Sequence, residues 1–289
     1  MADTIHRFLF DDLDIRGALV HLDQAWQQMQ EGRGYGPVTA SLLGQMTAIT
    51  AVIAGQLKQA GRLTFQLRGN GPIAMLVIDC NERLELRGMA RSRDGADPHP
   101  APLPELLGHG QLMLSLDAAQ ARDTYQSFVP LEGDTLAQVF EHYLALSEQQ
   151  PSRLVLAANG QTAAGLFLQK LPDADQRDPD GWNRVTQFLD TLTEAELLTL
   201  APEQILTRLF HEETLRLFDP REVTYCCPED WEKVRSMLRS LGREEVEAIL
   251  AEHGEVVIQD EICNREYRFD PIAVAQLFAA PLTSGPTYH

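Results

Sequence analysis

Hydrophobic residues along this chain change their spacing several times, and each change marks an element. Val38, Leu42, Met46, Ile49, Ile53 and Leu57 recur at helical intervals. Ala40, Gly44, Ala48, Ala51, Ala54 and Gly55 fill much of the rest, which predicts a buried helix that neighbours approach closely. Ser41, Gln45, Thr47, Thr50 and Gln56 interrupt the run and argue against a membrane span. Two short strands, over 7–10 and 14–20, are predicted before it.

From residue 63 the period drops to two, with Leu63, Phe65 and Leu67 on one face and Thr64, Gln66 and Arg68 on the other. Gly69-Asn70-Gly71-Pro72 forces a turn, and apolar runs over 73–79 and 83–90 complete a predicted antiparallel meander. Residues 92–104 carry Asp94, Gly95, Asp97, Pro98, Pro100 and Pro102 and predict a surface loop. Strands over 111–116 and 124–129, a helix over 136–146, and a hairpin of 153–157 with 164–169 around Asn159-Gly160 follow. The predicted fold class is α+β.

Around residue 172 the composition shifts. Pro172, Asp173, Asp175, Asp178, Pro179 and Asp180 lie together without a large apolar residue, as in a solvated boundary. Helical stripes resume with Trp182, Val185, Phe188, Leu189 and Leu192. Thr193 and Glu196 have capping-box spacing, and Pro202 opens a helix with Ile205, Leu206, Leu209 and Phe210. These faces need something to cover them. Val234, Met237, Leu238 and Leu241 run to Gly242, and Val246, Ile249 and Leu250 run to Gly254. A hairpin of 256–259 with 266–269 and a helix opened by Asp270-Pro271, with Ile272, Val274, Leu277 and Phe278, complete the chain. Three units are expected: an α+β core over 1–172, a helical linker over 173–225 and a small C-terminal domain over 226–289. A core of about 55 residues is marginal without a metal, a disulfide or a docking partner.

Charge narrows the function. Forty-two acidic residues against 24 basic ones give a formal charge of −18, which disfavours nucleic acid and anionic membranes as partners. Four cysteines are too few for a disulfide scaffold, and no basic-then-apolar leader pattern opens the chain, so a cytoplasmic protein is expected. Enzyme-like strings lack their contexts. Gly69-Asn70-Gly71 joins two strands of a meander, and His211-Glu212-Glu213 lacks the second histidine of a zinc-protease helix. No catalytic residue is expected, and Cys80, ending an apolar strand, reads as a small buried hydrophobe.

One cluster carries chemistry: Cys226, Cys227 and Cys263, with Glu229 and Asp260. Two ligand pairs about 30 residues apart are the usual plan of a structural zinc site. Adjacent cysteines cannot easily both face one ion, so the candidate ligands are Cys227, Glu229, Asp260 and Cys263. Two thiolates with two carboxylates make a poor closed zinc site. The expectation is therefore no cofactor, zinc being the one candidate. A thiolate enzyme using Cys227 or Cys263 is the reading from another class. It lacks a neighbouring base, and Arg265 is the cation nearest Cys263 in sequence.

Longer motifs carry a resemblance. Arg7-Phe8-Leu9-Phe10 with Asp14-Ile15-Arg16-Gly17, Leu67-Arg68-Gly69-Asn70-Gly71-Pro72, Gly108-His109-Gly110-Gln111-Leu112, and Tyr125-Gln126 with Val129-Pro130-Leu131 span the first unit. Leu209-Phe210-His211-Glu212-Glu213 and Leu241-Gly242-Arg243-Glu244-Glu245-Val246 continue it. Together they resemble the heat-shock protein 33 family of redox-regulated bacterial chaperones over almost the whole chain. The resemblance implies an ATP-independent holdase for unfolding client proteins, dimerising through its N-terminal domain, with a zinc domain as redox switch. In that family zinc is held by a CxC and a CxxC pair. Here Cys227 falls on the first cysteine, Glu229 on the second, Asp260 on the third and Cys263 on the fourth, and Cys226 is extra.

The redox thiols are then Cys226, Cys227 and Cys263, and neither close pair of the family can form. A bridge from Cys226 or Cys227 to Cys263 would close a loop of about 37 residues and stabilise the domain by roughly 3 to 4 kcal/mol, locking it. The expected function is a holdase activated by unfolding of the linker and C-terminal domain, without a four-cysteine zinc switch. The expected client surface is Trp182, Val185, Phe188, Leu189, Ile205, Leu206, Leu209 and Phe210. The alternative is a family member with a permanently folded C-terminal cap.

Overall fold

A computed structural model describes residues 2–57, 60–118 and 125–279. In chain order its elements are β1 (Thr4–Phe10), β2 (Ile15–Leu22), α1 (Gln24–Gln30), α2 (Pro37–Ala54), β3 (Gly61–Arg68), β4 (Ile73–Asn81) and β5 (Glu85–Ser92). Next come α3 (Leu103–Leu107), β6 (Gln111–Ala118), β7 (Tyr125–Pro130), α4 (Leu136–Ser147), β8 (Ser152–Ala158) and β9 (Ala163–Lys170). Then follow α5 (Ala174–Arg177), α6 (Gly181–Leu189), α7 (Glu194–Thr199), α8 (Pro202–Phe210), β10 (Leu215–Leu217), β11 (Arg221–Glu222) and β12 (Thr224–Tyr225). The chain closes with α9 (Trp231–Leu241), α10 (Arg243–His253), β13 (Val256–Asp260), β14 (Arg265–Phe269) and α11 (Pro271–Leu277). Of the strand expected over 124–129, Thr124 lies outside the described residues.

The fold is α+β, and the chain separates into a larger unit that ends at Cys226 and a smaller one that begins at Cys227. In the larger unit one sheet runs β10-β1-β2-β9-β8, with β11 also paired to β1, and a second runs β12-β5-β4-β3-β6-β7. The meander expected over 63–90 is β3-β4-β5, antiparallel throughout. Helix α2 packs against β8 and β9 of the first sheet and against β4 and β5 of the second. Its apolar length would suffice to cross a membrane, but 72% of it is buried inside the protein.

The first sheet is apolar on both faces. On β2, Ala18, Val20 and Leu22 join the core around α2, whereas Ile15 and Leu19 face a second core; β9 divides likewise, Phe167 going one way and Leu166 and Leu168 the other. Strands buried on both faces lose the alternation of half-buried ones. The segment over 173–225 supplies what that second face needs. Helices α6, α7 and α8 bury their stripes on it, α7 starts with the expected Thr193–Glu196 capping box, and α8 starts at Pro202. Within 172–181, expected as plain linker, the chain forms the short helix α5, with Ala174 buried in the same core.

In the smaller unit α9 ends at Gly242 and α10 at Gly254, whose φ of 80° is the left-handed conformation glycine adopts without strain. Strands β13 and β14 pair from Val256↔Phe269 to Asp260↔Arg265.

Candidate functional site

A continuous apolar layer lies between the first sheet and helices α6 to α8. Val185, Leu189, Ile205, Leu206, Leu209 and Phe210 are all buried there, and Trp182 and Phe188 pack at its margin. The structure therefore gathers all eight expected residues into one layer. Its sheet side, Phe8, Phe10, Leu13, Ile15, Leu19 and Leu166 among others, was not expected as part of the surface. The run from Ile15 to Leu22, apolar at both parities, signals a strand covered on both faces without saying which residues share a face. Phe210 sits edge-on to Phe10 at 5.0 Å between centroids and 6.3 Å from Phe8.

Polar ties hold this layer at its rim. Arg184 on α6 reaches Glu213 at 2.7 Å and Asp178 at 2.9 Å, and Arg208 on α8 reaches Glu196 on α7 at 2.7 Å. Asp190 pairs with Arg153 on β8, and the buried His21 of β2 meets the Leu198 carbonyl through Nε2 at 3.4 Å. Ion pairs that remain partly open to solvent contribute little individually and orient more than they stabilise.

Two of these carboxylates titrate below their ordinary range. Hydrogen bonds from the Arg184 guanidinium and then from the Asp180 N–H lower Asp178, while the Thr193 N–H and hydroxyl lower Glu196. Their contribution is therefore complete above the unfolded values, 3.8 and 4.5, and is lost as pH falls through the lower folded values. Acidification from about pH 5 to about pH 3 should lower the melting temperature of the linker layer. Asp178→Asn should show a smaller fall in calorimetry, and an equal fall would contradict the assignment.

The cysteine cluster is divided by the fold. Cys227 and Cys263 form a disulfide with Cα atoms 5.6 Å apart. Cys226 is a free, half-buried thiol, and its backbone N–H donates to the Leu86 carbonyl at 2.9 Å, extending the β12–β5 ladder. The choice between Cys226 and Cys227 is thus settled in favour of Cys227. The four candidate ligands do not fit a zinc ion in this arrangement. The sulfurs of Cys227 and Cys263 are bonded to each other, so no thiolate is left to donate. Asp260 instead accepts the N–H groups of Ile262 and Cys263, fastening the hairpin turn. Glu229 accepts the Trp231 indole N–H at 2.7 Å and lies 4.0 Å from Arg265. Among the described residues no three His, Cys, Asp or Glu side chains gather as a metal site requires.

Cys80 is buried at the end of β4, and burial pushes its thiol up to about 12. Alkylation of the non-reduced, native chain near pH 8 should therefore label Cys226 and spare Cys80 until the core unfolds. Peptide mapping that finds Cys80 labelled first would contradict this.

The family model described as Hsp33 protein matches residues 3–270. The chain is 41% identical over 277 residues to the 33 kDa chaperonin of Shewanella sp. (strain W3-18-1), covering 96% of each. It is 37% identical over 284 residues to the 33 kDa chaperonin of Methylobacillus flagellatus, covering 98% of this chain and 96% of that one. The fold matches the crystal structure of the 33 kDa chaperonin (heat shock protein 33 homolog) of Thermotoga maritima with a TM-score of 0.79 at 21% identity, over 95% of this chain and 97% of that one. By its family-model match over residues 3–270 and its identity to these chaperonins, the chain belongs to the Hsp33 family of chaperones.

Proposed function

We propose that this Hsp33-family chaperone is an ATP-independent cytoplasmic holdase whose client surface is the layer between the first sheet and helices α6 to α8. One observation carries the reading: eight apolar linker residues are collected on a sheet face that is itself apolar, so a single detachment exposes both halves together. A holdase needs apolar area that appears on demand, and contiguous apolar surface of this kind binds other exposed chains. Detachment follows from unfolding of the linker and C-terminal unit under heat or another unfolding stress, and no zinc release is required. The reading assigns no catalytic residue. The test is light scattering of a chemically unfolded client diluted into buffer without nucleotide, at a temperature that activates the chain. Suppression saturating near stoichiometric chaperone supports a holdase, whereas suppression that needs ATP, or none at any temperature, refutes it.

A further inference from the structure

The C-terminal unit rests on a small core, in which Val234, Leu238, Val246, Val256, Tyr267 and Phe269 are the central buried side chains. Its disulfide joins the first residue of the unit, Cys227, to Cys263 in the turn between β13 and β14, 36 positions later. Helices α9 and α10 and strand β13 all lie inside that covalent loop. The non-covalent holds between the entering segment and the hairpin include the Asp230 N–H donating to the Tyr267 hydroxyl at 3.0 Å and Trp231 packed edge-on against Tyr267 and Phe269. A cross-link of this span acts mainly on the unfolded chain by removing its loop-closure freedom, and it matters most where the folded core is small.

We infer that the Cys227–Cys263 bond is a latch that reduction opens, so that oxidant holds the C-terminal unit closed and a dithiol frees it; the consequence for activity rests on the holdase reading. Neither close pair of the family's four-cysteine plan competes with this bond, because Glu229 and Asp260 carry no sulfur. The half-buried Cys227 is the more accessible partner, Cys263 being 9% exposed. One thiolate of a dithiol attacks the Cys227 sulfur, forms a mixed disulfide and expels the Cys263 thiolate, which takes up a proton. The second thiol of the reagent then attacks the mixed disulfide, closes a cyclic disulfide and releases Cys227 as a thiol. Two electrons and two protons pass from the dithiol to the protein, and the small unit loses its covalent closure.

The test uses the full chain in three forms: oxidised, treated with dithiothreitol, and carrying Cys263→Ser; Cys226→Ser serves as a control that keeps the bond. Hydrogen exchange of 256–269 is followed against temperature alongside client light scattering. In the reduced chain and in Cys263→Ser, the hairpin should lose protection at a temperature lower by more than about 10 °C than in the oxidised chain. Client suppression should begin correspondingly earlier in both. The same transition in all three forms, or a reduced chain that outlasts the oxidised one, overturns the latch. A shifted transition with no suppression in any form upholds the latch and refutes the holdase reading instead.

Discussion

Phe210→Ala is expected to produce a chaperone that is active at a temperature where the unaltered chain is silent. Phe210 closes α8, is 1% exposed, and lies against Phe10 and Phe8 in the layer that joins linker to sheet. Truncating a buried phenylalanine removes its burial and leaves a cavity, at about 3–5 kcal/mol together. Because that energy belongs to the linker–sheet contact, it shifts the local opening equilibrium by roughly two powers of ten or more. Phe65→Ala is the control. Phe65 sits edge-on to Phe140 at 4.9 Å in the core around α2, so its loss should lower the global melting temperature by a comparable energy without early client capture. Equal early activity in the two variants would mean that general instability, and not linker release, makes the client surface.

Gly17→Ala should act in the same direction from the sheet side. Gly17 pairs with Phe8 across β1 and β2, and a Cβ at this position would fall 2.2 Å from Phe8 Cζ. Phe8 is buried in the core it shares with the linker helices, with Phe210 6.3 Å away, so a displaced ring disturbs the linker layer. Overpacking of this type costs about 1–3 kcal/mol. The variant should show lower exchange protection over 181–210 with little change over 61–92. A second substitution, Phe8→Leu, should restore protection by making room for the methyl group. Gly17→Ala with unchanged linker protection would show that the layer yields without loosening.

Both variants address a surface whose two halves were unequally legible. The linker half could be read because α6 and α8 are amphipathic at helical spacing and because Thr193, Glu196 and Pro202 punctuate them. The sheet half was hidden. A strand with two apolar faces shows no period that says which residues meet which partner, and only the paired register of β1, β2 and β9 assigns Phe8, Leu19 and Leu166 to one side. Strands β10, β11 and β12 escaped for a related reason. Each has two or three residues, too few to carry a period, and each exists through pairing with β1 or β5. Helix α1, with the sequence QAWQQMQ, offers only Ala25, Trp26 and Met29 to the core, and its apolar signal is equally thin.

The cysteine site shows a different boundary of legibility. Positions 226 and 227 are neighbours, and spacing alone gives each the same reach to Cys263. The backbone separates them: the N–H of Cys226 is bound to Leu86 as the ladder beside β5 ends, and the next residue opens the C-terminal unit. Likewise the carboxylates of Glu229 and Asp260 matched metal-ligand positions in sequence, but in the fold one accepts an indole N–H and the other caps a turn.

In the proposed mechanism α6 to α8 leave the sheet and the exposed layer holds clients. Hydrogen exchange of 181–210, measured at the activating temperature with and without a stoichiometric unfolded client, tests it most directly. The account predicts that this segment exchanges fast in the free, active chain and becomes protected again when client is bound, while 61–92 stays protected in both. A chain that suppresses aggregation with 181–210 as protected as 61–92 throughout would contradict it.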